Sequence, residues 1–223
     1  MKIGIVIAIE RELISFLESS YKIEQRTNKK ITYYYTKIAN NEVYAIKSGF
    51  GLVDAASATQ FLISCLDVEL ILNYGVTGAL DPSLKVSDLF VVDKCLNYDF
   101  DTSGVDPVKK HQYMEFKDEF IPLNRELIDF AKSLKDIKEV NCCSGEQFVE
   151  DKKEKEKRFA LNCQICDMEL VAIARVCYLN DVKCFSIKCI SDAYDGDGSQ
   201  FVENVRKSSN KAFSLMSDIL EKL

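Results

Sequence analysis

Hydrophobic positions along the chain fall into short apolar runs that alternate with longer segments of helical periodicity. The first run, residues 1–9, is short and β-branched, which favours a strand buried on both faces of a sheet. Leu13, Phe16 and Leu17 then recur at helical spacing, so the chain opens as a strand followed by a helix. The same reasoning predicts further strands at 30–38, 43–46, 70–74, 88–97, 139–144 and 182–191, and helices at 53–66, 123–133, 151–158, 168–178 and 201–223.

Three stretches interrupt these elements. Two of them, residues 48–51 and 75–78, each contain two glycines and predict a break in regular structure. Residues 98–116 lose periodicity and are rich in Asp, Gly and Lys, which predicts a long loop of the kind that is usually functional or mobile. Neither an internal repeat nor a linker is evident. The chain therefore predicts one α/β domain over residues 1–223, with three layers in which a central mixed, twisted β-sheet is flanked by helices.

Charge and hydropathy exclude several classes of protein. The 35 acidic and 29 basic residues give a formal charge of −6, and a duplex nucleic-acid binder would need a basic footprint instead. The longest apolar run is far shorter than the roughly 20 residues that span a bilayer. These features predict a cytoplasmic protein that binds neither nucleic acid nor membrane. The charged run at 151–158 is interpreted as the solvated face of an exposed helix, because opposite charges recur at helical spacing.

Cysteine and histidine give little support for a metal site. The nine cysteines are odd in number and lie mainly in apolar segments, so they are interpreted as small buried hydrophobes in a reducing compartment. Cys163 and Cys166, with Cys142 and Cys143 upstream, leave a zinc site as the less favoured alternative. The single histidine, His111, is expected at the surface and makes a Ser-His-Asp triad improbable. No metal or cofactor is expected. The cysteines in apolar segments are Cys65, Cys95, Cys177, Cys184 and Cys189.

Three acidic residues lie where a strand or loop meets a helix, the usual place for a site in an α/β fold. They are Glu12, Glu169 and Asp192. Each also has an ordinary explanation, because an acid in the first turn of a helix complements the helix dipole without any further function. Asp192 is the hardest to explain in that way, because it ends a largely apolar strand. A carboxyl there is expected to be partly desolvated, with the raised pKa that suits a general acid.

Six motifs in register carry a resemblance that covers essentially the whole chain. The chain resembles the methylthioadenosine/S-adenosylhomocysteine nucleosidases of the purine nucleoside phosphorylase superfamily, and this resemblance implies a nucleoside phosphorylase-like fold. The order and spacing of the motifs are nearly those of the family, although each motif alone is common. The motifs are Met1-Lys-Ile-Gly-Ile with Ala8-Ile-Glu-Arg-Glu12, Ser48-Gly-Phe-Gly51, Asn73-Tyr-Gly-Val-Thr-Gly-Ala-Leu80, Gly145-Glu-Gln-Phe-Val149, Asp167-Met-Glu-Leu-Val-Ala-Ile-Ala174 and Ile190-Ser-Asp192.

The resemblance implies a hydrolase that cleaves the N-ribosidic bond of methylthioadenosine and S-adenosylhomocysteine. By this resemblance Asp192, oriented by Ser191, protonates N7 of adenine, and Glu12 activates the attacking water. Glu169 holds the ribose hydroxyls, and Met168 packs under the sugar. Three carboxyls suit this chemistry, one for each role. The oxocarbenium-like transition state needs a general acid on the leaving adenine, a negative charge near the sugar and a general base for the water.

The remaining positions implied by the resemblance form the walls of the pocket. Phe148 stacks on adenine and the backbone of Val149 bonds its edge, while Phe50 and Phe201 line the pocket for the 5′-thio substituent. Ile9 stands where methionine is more usual, and this change would reshape the 5′ pocket. The family also implies a homodimer in which the neighbour's loop, expected here at 98–116 with Val105 and Tyr113, closes over the 5′ group.

Two departures from the family pattern leave alternatives open. Val76 stands where the family usually has serine and Lys188 where it usually has arginine, so either Thr77 supplies the missing hydroxyl or the nucleophile is held differently. One alternative is a phosphorylase that uses phosphate as the nucleophile, but the segment 72–74 lacks the arginine that hexameric purine phosphorylases place there. The other alternative is a nucleoside-binding protein without catalysis, which the three retained carboxyls disfavour.

Overall fold

The computed structural model describes residues 1–223 and contains ten strands and six helices. The strands are β1 (Lys2–Ile7), β2 (Glu24–Asn28), β3 (Ile31–Ile38), β4 (Asn41–Lys47), β5 (Leu70–Ala79), β6 (Leu89–Asn97), β7 (Ile121–Pro122), β8 (Lys138–Ser144), β9 (Ile165–Asp167) and β10 (Lys183–Asp192). The helices are α1 (Glu10–Leu17), α2 (Leu52–Leu66), α3 (Arg125–Leu134), α4 (Lys152–Phe159), α5 (Leu170–Leu179) and α6 (Gly198–Leu220). No regular element lies between β6 and β7, so the predicted long loop is confirmed.

All ten strands belong to one mixed sheet in which β5 is central. Strand β1 lies between β4 and β5 and is parallel to both, and β3 and β2 continue the sheet in antiparallel fashion. On its other side β5 pairs in parallel with β10, and its last residues pair with β9. The strands β5, β10, β6, β8 and β9 thus form a closed circuit of pairings. The short β7 pairs with β6.

Helices cover the sheet in two groups, which gives the predicted three-layer α/β architecture. Helices α1 and α6 pack against each other, and α6 packs on β5 and β10. Helices α2 and α5 form the second group and contact β1, β4, β6, β8 and β10. The runs of Ile, Leu and Val in β1, β5 and β10 are buried between these layers, as expected for strands covered on both faces. No helix of the structure is sufficiently long and apolar to cross a membrane.

Some predicted element boundaries were wrong. The chain does not break at 75–78, because β5 runs on to Ala79 with β10 and then β9 as its partners. Strand β2 was missed because its sequence, Glu-Gln-Arg-Thr-Asn, has no apolar positions; it is an edge strand paired only with β3. Helix α6 begins at Gly198, three residues before the predicted start, since Asp197 caps it by accepting from the backbone N–H groups of Ser199 and Gln200.

Three predictions of burial were also wrong. Helix α4 is not merely a solvated face, because Lys155 and Arg158 turn inward and are buried. His111 is buried rather than on the surface. It lies within the long loop, where its backbone N–H donates to the carbonyl of Phe100. Cys65 is exposed on α2, whereas the other eight cysteines are buried thiols as predicted. Each error arose because burial depends on tertiary packing, which local periodicity does not report.

Candidate functional site

A cavity of about 430 Å³ opens at the carboxyl ends of the parallel strands β1, β5 and β10. Ligand sites in α/β folds occupy this edge of the sheet, and the volume suits a small molecule. Its walls combine buried carboxyls with aromatic and aliphatic side chains. The lining residues are Ala8, Ile9, Glu12, Phe50, Val76, Thr77, Gly78, Phe148, Cys166, Asp167, Met168, Glu169, Ser191, Asp192, Gly198 and Phe201.

Asp192 lies at the end of β10, where a β-bulge after Ile190 shifts the register of its pairing with β5. Such bulges redirect a side chain, and here the carboxyl faces the cavity. The hydroxyl of Ser191 donates to Asp192 Oδ1 at 2.8 Å, which leaves Oδ2 without a protein donor. Burial raises the pKa of Asp192, and the Ser191 hydrogen bond only partly opposes this shift. The carboxyl is thus suited to holding a proton on Oδ2.

Glu12 lies in the first turn of α1, but its carboxyl turns back toward the cavity. The backbone N–H of Val76 donates to Oε1 at 2.7 Å, and that of Ile9 donates to Oε2 at 3.2 Å. Burial raises the pKa of this carboxyl, while the positive charge of Lys188 and the two N–H groups oppose the shift. Each oxygen keeps a lone pair for a further donor, so Glu12 can accept a proton from a bound water.

Glu169 is the N-cap residue of α5 and faces the same cavity. The N–H of Gly51 donates to Oε1 at 3.0 Å, which joins the start of α2 to the start of α5, and the N–H of Met168 donates to Oε2 at 3.2 Å. Burial, and then the neighbouring charge of Asp167, raise the pKa of Glu169 to about 8. Glu169 can therefore present either a protonated or an ionised carboxyl to a ligand's hydroxyl groups near neutral pH.

A buried ion pair lies behind these carboxyls. Lys188 Nζ is 2.7 Å from Asp167 Oδ2, and both side chains are 3% exposed. Asp167 Oδ1 also accepts from the hydroxyl of Ser144 at 2.6 Å, so the carboxylate is well satisfied. Burial alone would lower the pKa of Lys188, but Asp167 and the nearby acids raise it instead. The ion pair holds one positive charge within a cluster that is otherwise acidic.

Two glycines of β5 make room for two of the carboxyls. A Cβ atom at Gly78 would lie 2.8 Å from Asp192 Oδ2, and one at Gly75 would overlap Glu12 Oε1. Real Cβ atoms essentially never approach an oxygen so closely, so any side chain at these positions would displace the acid. The segment that the sequence suggested as a break is thus a strand whose glycines admit the two acids.

Aromatic side chains form the outer wall of the cavity. The rings of Phe148 and Phe201 meet edge to face, with centroids 5.6 Å apart. Phe50 is 62% exposed at the mouth, and Met168 and Ile9 lie deeper among the lining residues. This arrangement of exposed apolar side chains and buried acids suits a ligand with one apolar and one polar end.

Most residues predicted for the site meet in this one cavity. The exceptions are Val149, which is buried beside a small adjoining pocket, and Lys188, which lies behind Asp167 and does not line the cavity. Thr77 does line it, but its hydroxyl donates to the carbonyl of Cys166 at 2.6 Å and can only accept from a water. The long loop contributes nothing to its own chain's cavity: Tyr113 stacks on Phe100 with centroids 4.2 Å apart.

Sequence reasoning missed the role of Asp167, which it took only as part of a motif. A signal was available, because a lysine inside the apolar strand β10 needs a buried counter-ion. Cys166 and Gly198 also line the cavity without having been predicted. No group of three or more His, Cys, Asp or Glu side chains is arranged to hold a metal ion.

Comparison with known proteins supplies the family. A family model described as the phosphorylase superfamily matches residues 2–222. A 5′-methylthioadenosine/S-adenosylhomocysteine nucleosidase from Buchnera aphidicola subsp. Acyrthosiphon pisum is 34% identical over 236 residues, which cover 100% of this chain and 99% of that relative. The chain belongs to the methylthioadenosine/S-adenosylhomocysteine nucleosidase family. The expected family and its place in the phosphorylase superfamily are thereby confirmed.

Two further relatives differ in the nucleoside that their names specify. An aminodeoxyfutalosine nucleosidase from Campylobacter jejuni is 31% identical over 225 residues, which cover 94% of this chain and 95% of that relative. The crystal structure of the Helicobacter pylori 5′-methylthioadenosine/S-adenosylhomocysteine nucleosidase superposes with a TM-score of 0.92 at 26% identity, covering 100% of this chain and 99% of that one. This family member is therefore a hydrolytic nucleosidase, an enzyme that cleaves the N-glycosidic bond of a nucleoside.

Proposed function

We propose that this nucleosidase hydrolyses the N-ribosidic bond of 5′-methylthioadenosine and S-adenosylhomocysteine, releasing adenine and the corresponding thioribose. The observation that carries the proposal is that Glu12, Glu169 and Asp192, from three separate elements, meet in one buried cavity. Burial raises the pKa of all three acids, as a site for proton transfer near neutral pH requires.

In the proposed reaction Asp192 begins protonated and donates its proton to N7 of adenine. The bond between the base nitrogen and the sugar carbon then breaks, and the electron pair leaves with a neutral base. Water attacks the cationic sugar carbon and transfers its proton to Glu12. The cycle ends with Asp192 ionised and Glu12 protonated, and exchange with solvent restores both. Ser191 keeps Asp192 oriented through the bond to Oδ1.

The other roles concern binding. Glu169 accepts hydrogen bonds from the ribose hydroxyls, and Met168 packs under the sugar. Phe148 stacks on the base while the backbone of Val149 bonds its edge. The 5′ substituent lies against the remaining apolar wall, formed by Ile9, Phe50 and Phe201.

Water is a better nucleophile for this site than phosphate. Lys188, the cation whose charge acts on Glu12, is paired with Asp167 and does not line the cavity. A phosphate dianion would then face buried carboxyls without an arginine or lysine clamp, which costs electrostatic energy. The Glu12 carboxylate and the oxygen of the Thr77 hydroxyl can each still accept a hydrogen bond from a neutral water.

A second substrate is favoured by one specific comparison. The Campylobacter jejuni relative named an aminodeoxyfutalosine nucleosidase is nearly as similar as the Buchnera aphidicola relative. We propose aminodeoxyfutalosine as the alternative substrate, because the open mouth at Phe50 leaves room for a larger 5′ substituent.

The test is release of the free base from methylthioadenosine, S-adenosylhomocysteine and aminodeoxyfutalosine, each with and without inorganic phosphate. Release that needs no phosphate, fastest with the two thio-nucleosides, is the expected result. A preference for aminodeoxyfutalosine would support the alternative, and a requirement for phosphate would contradict hydrolysis.

We also propose that a second copy of the chain covers the mouth of the cavity. Large apolar side chains are exposed there and on the long loop: Phe50 at 62%, Val53 at 76% and Val105 at 85%. A homodimer at assay concentrations in sedimentation velocity is expected. A fully active monomer would contradict this proposal.

A further inference from the structure

Lys155 is a fully buried lysine on a helix whose residues are nearly all charged. Its ammonium group donates to three backbone carbonyls, those of Ala193 at 3.0 Å, Tyr194 at 3.1 Å and Gly196 at 3.0 Å. An ammonium group has three donors, so all of them are used on one short turn. A lysine is almost never fully buried unless it has such partners.

The turn that Lys155 binds follows directly after Asp192. The N–H of Gly196 donates to the carbonyl of Ala193 at 2.9 Å, so the turn closes on itself and directs its carbonyls inward. The N–H of Ala193 donates to Gln200 Oε1 at 2.5 Å, and this bond ties the turn to the first residues of α6. Without the ammonium group, the half-buried carbonyls of Tyr194 and Gly196 would lose their donor and that of Ala193 would keep only the N–H of Gly196, so the turn would have to open to find other donors.

A second buried cation of α4, Arg158, contacts a residue that binds the segment before Phe148. The guanidinium of Arg158 lies over the ring of Tyr98, with its carbon 4.0 Å from the centroid. The hydroxyl of Tyr98 donates to the carbonyl of Gln147 at 3.0 Å, next to Phe148. Helix α4 thus reaches both the turn after the acid and the segment that carries the aromatic wall, although it does not line the cavity itself.

We propose that Lys155 is a positioning residue for protonation of the adenine base. By binding the turn 193–196, Lys155 fixes the orientation of Asp192 toward the cavity and, through the bond from Ala193 to Gln200, the position of the start of α6, which carries Phe201. The inference rests on the proposed function, in which Asp192 is the acid. The ammonium charge also acts on that acid directly, because it lowers the pKa of Asp192 that burial raises. The Ser191 hydroxyl and the Cys166 thiol are the other titratable or polar groups that face this carboxyl.

The test is Lys155→Met, which keeps the length of the side chain and removes the charge and its donors. We expect kcat to fall about 10- to 100-fold, with a smaller change in KM. We also expect the fall of kcat at high pH to move to a higher pH, because Asp192 loses a nearby positive charge. Lys157→Met is the matched control, since Lys157 lies on the same helix with 70% of its side chain exposed, and both its kcat and its pH profile should match the wild type.

A purely structural role would lower the melting temperature of Lys155→Met and leave kcat and the pH profile of the folded fraction unchanged, and that result would overturn the proposal. If Lys155→Met does not fold, Gln200→Met removes the other anchor of the turn and should lower kcat more than it changes KM; unchanged kcat there would equally overturn it. Failure of the proposed function is distinct, because the wild-type protein would then release no base from any of the three nucleosides.

Discussion

Replacing Asp192 by asparagine tests the assignment of the acid most directly. The side chain is 2% exposed, and asparagine has nearly the same size, so no cavity or overlap is created. The Oδ1 atom of asparagine can still accept from Ser191, as Asp192 does at 2.8 Å, which directs the amide nitrogen to the place of Oδ2. There it can donate a hydrogen bond to N7 of the base but cannot transfer a proton. Binding should survive while catalysis fails.

The expected loss is about 10²- to 10⁴-fold in kcat, the usual contribution of a positioned general acid, or about 2.7–5.4 kcal/mol at about 1.36 kcal/mol per tenfold. The assay is base release at saturating methylthioadenosine, with calorimetric titration of the same nucleoside to measure Kd. Asp195→Asn is the matched control, because it makes the same chemical change on an exposed side chain three residues away. A kcat within threefold of the wild type would refute the assignment, and a Kd that weakens as much as kcat falls would make Asp192 a binding group instead.

Three further outcomes follow from the same geometry. Gly78→Ala should lower kcat at least tenfold by displacing the acid it faces, whereas Gly104→Ala, with nothing within 4 Å, should leave it unchanged in the same assay. The pKa of Glu169 is raised from 4.5 to about 8 in the folded state, so between these values the folded state holds a proton that the unfolded state releases, and stability is lost as pH rises. Glu169→Gln should therefore flatten the dependence of melting temperature on pH between about 5 and 8, and an unchanged slope would contradict the shift. Lys188→Met should cost about 3–5 kcal/mol in urea unfolding by leaving Asp167 unpaired, and the double variant with Asp167→Asn should recover most of that loss.

Local patterns in the sequence were sufficient to predict the α/β architecture and three of the acids that line the cavity. The β-branched runs of β1 and β10 and the helical spacing in α1 predicted their elements, because a buried strand and an amphipathic helix each need a characteristic run of apolar residues. Glu12, Glu169 and Asp192 were found because parallel strands end at one edge of a sheet, where an acid after an apolar run is conspicuous.

The errors arose where a residue's environment is supplied by another part of the chain. Nothing in the sequence of the highly charged helix α4 distinguishes Lys155 from Lys157. The carbonyls that accept hydrogen bonds from the buried Lys155 lie about 40 residues later in the chain. The glycines of β5 suggested a break, because the sequence does not show that two carboxyls from other elements occupy the space of their side chains.

The sequence by itself thus determined the α/β architecture, most of its strands and helices, the enzyme family and three acids that line one cavity. Only the tertiary structure decided which charges are buried, which partner each one has and how far each pKa moves. The physical reason is that periodicity is a local property of the chain, whereas desolvation and charge pairing depend on every segment that packs around a group. Lys188 illustrates the difference. The sequence predicts that it lies in an apolar strand, but only the folded structure shows that it pairs with Asp167.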